Sequence, residues 1–442
     1  MTICCHDGVD VFANSFAPVP ANLFAEMKTA NVCTVRKLLR KTCLKSKRIY
    51  EPIKLKVLPP QSRCVGINHF CRKIHQNTEN AYICKKKLNS IIKIKNHYSQ
   101  YMPLIQNSTY TPTYFFKNHH FNTLYPALFR APKGIDFQRI RYEIPEGDFF
   151  DADWSFQSVK PTSDHLIICI HGLEGNARRP YMVGMMREFN KNGVDAVGLN
   201  LRGCSGEPNR LLEGYHSGHT ADLDFLINTI LQEKKYTDIT LLGFSVGGNI
   251  ALKYGGEKGD LIDKSIRRII AFSVPCDLKS CSLELEKPQN RFYQWQFLVT
   301  LKQKARIQNT RFPNRIDMNK VLTAKYFRQF DDYYTAFING FKDAEDYWAK
   351  ASCQLLLPNI KIPSLLVSAV DDCFLADTCY PTDFAASSTI FHLEMPKYGG
   401  HLGFMSPNTE GVLWTEKRAI EFYKETLNFF PISFCQLFPN PT

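Results

Sequence analysis

Short apolar runs bounded by turn residues recur through the chain: "HLIICIHG" (His165 to Gly172), "VDAVGLNLRG" (Val194 to Gly203), "DITLLGF" (Asp238 to Phe244), "IRRIIAFSV" (Ile266 to Val274) and "IPSLLVSAV" (Ile362 to Val370). None alternates apolar with polar residues, so each predicts a strand covered on both faces, as in a parallel sheet. Between them, apolar residues return at helical spacing. "RRPYMVGMMREFNKNG" ends at a glycine, and "HTADLDFLINTILQEKK" sets Leu223, Leu226, Ile227 and Ile230 on one face. Strand alternating with helix predicts a mostly parallel, doubly wound α/β sheet. Ahead of it, "FQRIRYEIPEGDFFDADWSF" reads as two alternating strands joined by a turn at Pro145, Glu146 and Gly147. From about residue 275 to 358 the rhythm lapses into aromatic-rich helical sequence, expected as a cap over the carboxyl edge of the sheet. "TEKRAIEFYKETLNFF" reads as a closing amphipathic helix.

Charge divides the chain differently. The net charge is +13, yet residues 1 to 100 hold 18 Lys and Arg against 5 Asp and Glu, which leaves 37 of each sign elsewhere. The basic excess therefore belongs to one segment. The expected organisation is a basic, poorly ordered extension over 1–105, an α/β domain over 106–430 and a tail over 431–442. The extension reads as a mobile arm or as sequence upstream of a later start; a basic arm for anionic lipid or nucleic acid is the alternative. The 15 cysteines lack the dense spacing of small secreted domains and read as reduced thiols. Cys64, His69, Cys71, His75 and Cys84 match no standard zinc spacing. The N-terminus has no signal-peptide pattern, and no window approaches a membrane-spanning apolar run of roughly 18 residues.

The strand "DITLLGF" runs into Gly243-Phe-Ser-Val-Gly247, with a helix predicted after it. A G-x-S-x-G serine sits at a strained strand-to-helix turn, where glycines two residues before and after avoid collisions with neighbouring backbone. Gly248 is expected to let the helix approach the sheet. The remaining parts of such a site follow in chain order. Asp371 and Asp372 end the strand "IPSLLVSAV", and His401 lies in the loop "YGGHLGF" after the strand-like "STIFHLEMPK". Ser245 is the candidate nucleophile and His401 its base; Asp372 is favoured as orienting carboxylate, with Asp371 the runner-up. The loop "HGLEG" follows the strand "HLIICI", so the amides of Leu173 and Val246 are the candidate oxyanion donors. His216 and His219 precede a helix that His219-Thr220 or Ser217 is placed to cap, and "YHSGH" carries no accompanying cluster at metal-ligand spacing. His392 reads as core.

The placement of Ser245, Asp372 and His401 resembles the α/β-hydrolase superfamily. "RGCSGEPNR" (Arg202 to Arg210), "YHSG" (Tyr215 to Gly218), "LYPALFR" and the "HGLEG" and "YGGHLGF" pair resemble its YheT-type branch, related to animal alpha/beta-hydrolase-domain-containing proteins 1, 2 and 3 and to yeast medium-chain acyl ethyl ester synthase/esterases. The resemblance runs from about Tyr110 to Phe430; Met102 is a candidate natural start. It implies a serine esterase or lipase-like hydrolase for short- or medium-chain esters, without metal or organic cofactor. Some relatives carry an N-terminal membrane helix, which this sequence lacks. The same triad would also serve an acyltransferase making esters. A non-catalytic lipid-binding or interaction protein is the alternative of another class. The expected partner is a small-molecule or lipid ester, with no nucleic acid, in a soluble cytoplasmic protein; weak membrane-surface contact through the basic segment is left open. Arg202 and Glu207 are expected either to brace the site or to form an ion pair.

Overall fold

The computed structural model describes residues 103–406 and 411–427, together with two short strands, Thr2–Cys4 and Asp10–Phe12. The chain divides into units Met1–Gln100 and Tyr101–Thr442, and the two short strands pair antiparallel within the first. Cys64, His69, Cys71, His75 and Cys84, the rest of the basic segment and the 431–442 tail lie outside the described residues.

The described residues of the second unit form nine strands: β1 (Leu104–Ile105), β2 (Gln138–Glu143), β3 (Phe149–Ser155), β4 (His165–Ile170), β5 (Asp195–Leu199), β6 (Asp238–Phe244), β7 (Ile266–Phe272), β8 (Ser364–Val367) and β9 (Phe391–Glu394). They lie in the order β1-β9-β8-β7-β6-β4-β5-β3-β2. Every pairing is parallel except β2 with β3 and β3 with β5. This is the α/β-hydrolase fold.

Why the central strands read as unbroken apolar runs is plain from β4. Leu166, Ile168 and Ile170 join one core cluster, with Leu223, Leu226, Ile227 and Ile230 of the helix Ala221–Gln232. Ile167 and Cys169 join another, with Met182, Met185 and Phe189 of the helix Pro180–Lys191 and Phe422 of the helix Trp414–Leu427. From Leu166 to Ile170, successive side chains of β4 thus enter one core and then the other.

β3 departs from its expected alternation, because all seven residues are buried. Arg139 and Arg141 of β2 hold Asp153 and Asp151 through pairs of hydrogen bonds between 2.8 and 3.1 Å, which lets carboxylates sit on the covered face. β1 was not foreseen, nor was the helix α1 (His119–Phe129), which carries Pro126 inside it.

Between β7 and β8 the aromatic segment forms helices, including α2 (Leu278–Glu286), α3 (Arg291–Arg311) and α4 (Ala344–Ala351). Its apolar residues make their own cluster, with Leu298, Phe330 and Tyr334 buried in it.

Candidate active site

Ser245 opens the helix Val246–Lys258 directly after β6 and has φ 51°. That left-handed conformation is strained for a residue with a side chain, and packing enforces it. A Cβ on Gly243 would strike the Gly247 carbonyl, and one on Gly247 would strike the Ile170 carbonyl. A Cβ on Gly248 would meet Ala271 at 3.4 Å and also press on Val274, so this glycine does bring the helix onto β7.

His401 Nε2 lies 3.0 Å from Ser245 Oγ, and His401 Nδ1 lies 3.0 and 3.1 Å from the two oxygens of Asp372. All three are buried. The sheet order explains the meeting. β6, β7 and β8 are consecutive neighbours, so the loops leaving their carboxyl ends bring serine and aspartate to one edge, and the loop after β9 returns histidine between them. Phe374 stacks on the His401 ring at 4.2 Å, and its amide donates to Asp372 Oδ1 at 3.0 Å.

Asp371 points elsewhere: its Oδ1 accepts from the Gly400 amide at 2.9 Å. Burial holds its carboxyl above the usual carboxylate range.

The histidine loop rests on α1. Thr123 Oγ1 accepts from His401 N at 2.9 Å, and Asn122 Oδ1 from Met405 N at 2.9 Å. Gly400 has φ +57°, and a Cβ there would come within 2.5 Å of the His119 carbonyl and Thr123 Oγ1. No periodicity in "HHFNTLYPALF" marks Thr123 and Asn122 as supports; only the tertiary contact does.

The "HGLEG" loop leaves β4, the neighbour of β6. Its amides on either side of Leu173 are engaged: Gly172 N donates to Tyr181 Oη at 3.1 Å and Glu174 N to Tyr215 Oη at 3.0 Å. Among the described residues, the Leu173 and Val246 amides donate to no group, and both residues line the same cavity as Ser245. His171 is buried with Nδ1 2.7 Å from the Gly172 carbonyl and Nε2 accepting from Leu201 N at 3.1 Å. Burial pushes its imidazole down to about 4, so it is neutral and holds the loop in place. Glu174 ties the loop to α3: its Oε1 accepts from Tyr215 Oη at 2.7 Å and from Lys304 Nζ at 2.9 Å. Sequence reasoning missed this bridge, which links residues far apart in the chain.

The cavity has a volume of about 290 Å³ and is lined chiefly by apolar groups, among them Leu278, Leu285, Phe297, Leu301, Phe327 and Phe374. Asp331 also lines it, with Trp348 Nε1 donating to Oδ2 at 2.9 Å. Burial pushes this carboxyl up to about 7. The folded chain therefore binds a proton that the unfolded chain releases near pH 4, so stability falls as pH rises from about 4 through 7. Asp331→Asn keeps an acceptor for Trp348 and removes that dependence. Its melting temperature is expected to exceed that of the parent by a margin that widens from about pH 5 to pH 8; parallel curves would refute the assignment.

The loop residues Arg202 and Glu207 do not pair with each other. Arg202 donates to both oxygens of Asp222, at 2.7 to 3.0 Å, and Glu207 accepts from Arg141 at 2.6 Å. Cys204 meets Lys304 Nζ at 3.0 Å, but burial pushes its thiol up to about 11. Thr220 stands at the start of the helix Ala221–Gln232 without a side-chain capping bond, while His219 lies 3.2 Å from Asp222. His216 lines the cavity, and burial pushes its imidazole down to about 3. His392 is buried, as a core residue. Among the described residues, His119, His120 and Cys373 are the one group of three or more His, Cys, Asp or Glu placed to hold a metal ion, their ligand atoms lying within 4.8 Å of one another.

Comparison with known proteins places these features in a family. A family model described as alpha/beta hydrolase fold matches residues 165–383. "Putative esterase YheT" of Escherichia coli is 31% identical over 315 residues, which is 71% of this chain and 92% of that protein. "Phospholipase ABHD3" of Homo sapiens is 27% identical, across 68% of this chain and 75% of its own length. "Monoacylglycerol lipase" of Saccharomyces cerevisiae is 27% identical, across 65% and 63% respectively. The chain belongs to the alpha/beta hydrolase family, in its YheT-type branch.

Proposed function

We propose that the chain is a carboxylic ester hydrolase working through an acyl-enzyme on Ser245, with short- to medium-chain acyl esters or lipids as substrates. The observation that carries the reading is the hydrogen-bonded line from Ser245 Oγ through His401 to Asp372, starting at a strained φ of 51°. The names of the relatives, an esterase, a phospholipase and a monoacylglycerol lipase, support ester chemistry.

His401 Nε2 removes the hydroxyl proton as Ser245 Oγ attacks the ester carbonyl. The carbonyl oxygen becomes an oxyanion held by the amides of Leu173 and Val246, a contribution of about 10² to 10³ in rate for each such donor. Asp372 steadies the imidazolium. The intermediate collapses, the C–O bond to the alcohol breaks, and His401 returns its proton to the departing oxygen. Water, deprotonated by the same imidazole, then attacks the acyl-enzyme and releases the acid.

The apolar cavity supports an acyl substituent, and about 290 Å³ lies at the lower end of the roughly 300–1,000 Å³ of small-molecule sites, which favours short and medium chains. A fluorophosphonate probe is expected to label Ser245, and a p-nitrophenyl ester series to give its highest kcat/KM at short or medium acyl length. Folded protein that resists the probe would overturn the enzymatic reading. A rate still rising at the longest acyl chains would overturn the chain-length assignment alone.

A further inference from the structure

Large apolar side chains stand in solvent along two adjacent segments. In α1 and the turn before it, Tyr114 is 81% and Phe129 70% exposed; in α3, Phe292 is 56% and Trp295 59% exposed. The segments touch, because His120 Nδ1 lies 3.0 Å from Tyr293 Oη with the rings stacked at 5.7 Å. Tyr293 packs on Phe292, and Phe292 on Trp295. Scattered exposed apolar residues are ordinary, whereas a run of aromatics across two touching helices marks a surface with a partner.

Charge indicates which partner. Neither 111–130 nor 291–311 contains a single Asp or Glu, whereas Lys117, Arg291 and Arg306 are exposed there. Aromatic rings with cations and no acids suit the headgroup layer of an anionic bilayer, where rings settle at the boundary and cations meet phosphates. α3 also has a second role: Phe297, Leu301 and Lys304, on its inward side, line the cavity of Ser245.

We propose that the outward faces of α1 and α3 form a docking surface for a lipid bilayer carrying anionic headgroups, so that one side of α3 meets lipid and the other the substrate cavity. The proposal extends the lipid-ester reading and is distinct from any contact made by the basic N-terminal segment.

The test uses the full chain carrying Ser245→Ala, so that binding is read without turnover, and vesicles of phosphatidylcholine with or without phosphatidylserine. The chain is expected to co-float with the phosphatidylserine vesicles and to show a blue shift of Trp295 emission that Trp295→Phe abolishes. The pair Phe129→Ser with Trp295→Ser is expected to lower partitioning at least ~10-fold, and Tyr114→Ser with Phe292→Ser similarly. On the Ser245 background, both pairs are expected to hydrolyse a water-soluble acetate ester at the parent rate, so loss of that activity throughout reports on the esterase reading instead. Parent-like binding by both pairs would move the contact to residues 1–100 and overturn the proposal. So would absence of vesicle binding, whether the patch is covered by residues 1–100 or by a second copy of the chain.

Discussion

Ser245→Ala is expected to lower kcat for ester hydrolysis by roughly a million-fold, because removing the nucleophile of such a triad costs about as much as removing all of it. In barrier terms this is about 8 kcal/mol. The change removes one oxygen, whose contact is the 3.0 Å hydrogen bond to His401 Nε2. The strained φ of 51° is imposed by packing around Gly243 and Gly247 rather than by the hydroxyl, and alanine carries the same Cβ through it. The melting temperature should therefore move by only a few degrees. The cavity and the amides of Leu173 and Val246 persist, so residual turnover of about 10³ to 10⁴ over water is expected, as for other triads stripped of a member. Steady-state rates on a soluble p-nitrophenyl ester, with circular dichroism to establish the fold, make the measurement. Parent-like kcat in the folded variant would exclude Ser245 as nucleophile.

Much of this arrangement is legible from the amino-acid order, and the physical reason is local. β6 coincides with "DITLLGF" residue by residue, because a strand buried on both faces leaves a largely apolar run; its two polar members, Asp238 and Thr240, accept from Arg268. Glycines at 243 and 247 are legible because backbone approaches that close exclude any other residue. What escapes is whatever depends on distant packing. α1 exposes Leu128 and Phe129 and contains Pro126, so its pattern does not announce a helix, although Thr123 and Asn122 on it hold the histidine loop. The Glu174–Lys304 bridge joins a loop after β4 to an inserted helix 130 residues later. Arg202 and Glu207 share a loop, yet each pairs with a residue of another element, Asp222 and Arg141. In β3, alternation is present in the sequence but its consequence is hidden, because Asp151 and Asp153 are buried against partners from other elements, the arginines of the neighbouring strand among them.

The adjacent carboxylates Asp371 and Asp372 make the sharper test, since sequence order alone left both open. Asp372→Asn is expected to lower kcat by about 10⁴. Oδ1 of Asp372 accepts from the Phe374 amide at 3.0 Å, so an asparagine would keep its oxygen there and turn its NH₂ toward His401 Nδ1. That NH₂ donates, which forces the imidazole proton onto Nε2, the atom that must accept the proton of Ser245. The geometry would survive while the base would be in the wrong tautomer. Asp371→Asn keeps an acceptor for the Gly400 amide and touches neither His401 nitrogen, so its effect on kcat is expected to stay within about tenfold. If both variants lost activity equally, the orienting role would belong to the pair of carboxylates, and the direct hydrogen bond from Asp372 to Nδ1 would not explain it. A large loss confined to Asp372→Asn, with unchanged KM, ties the rate to the tautomer of a single ring.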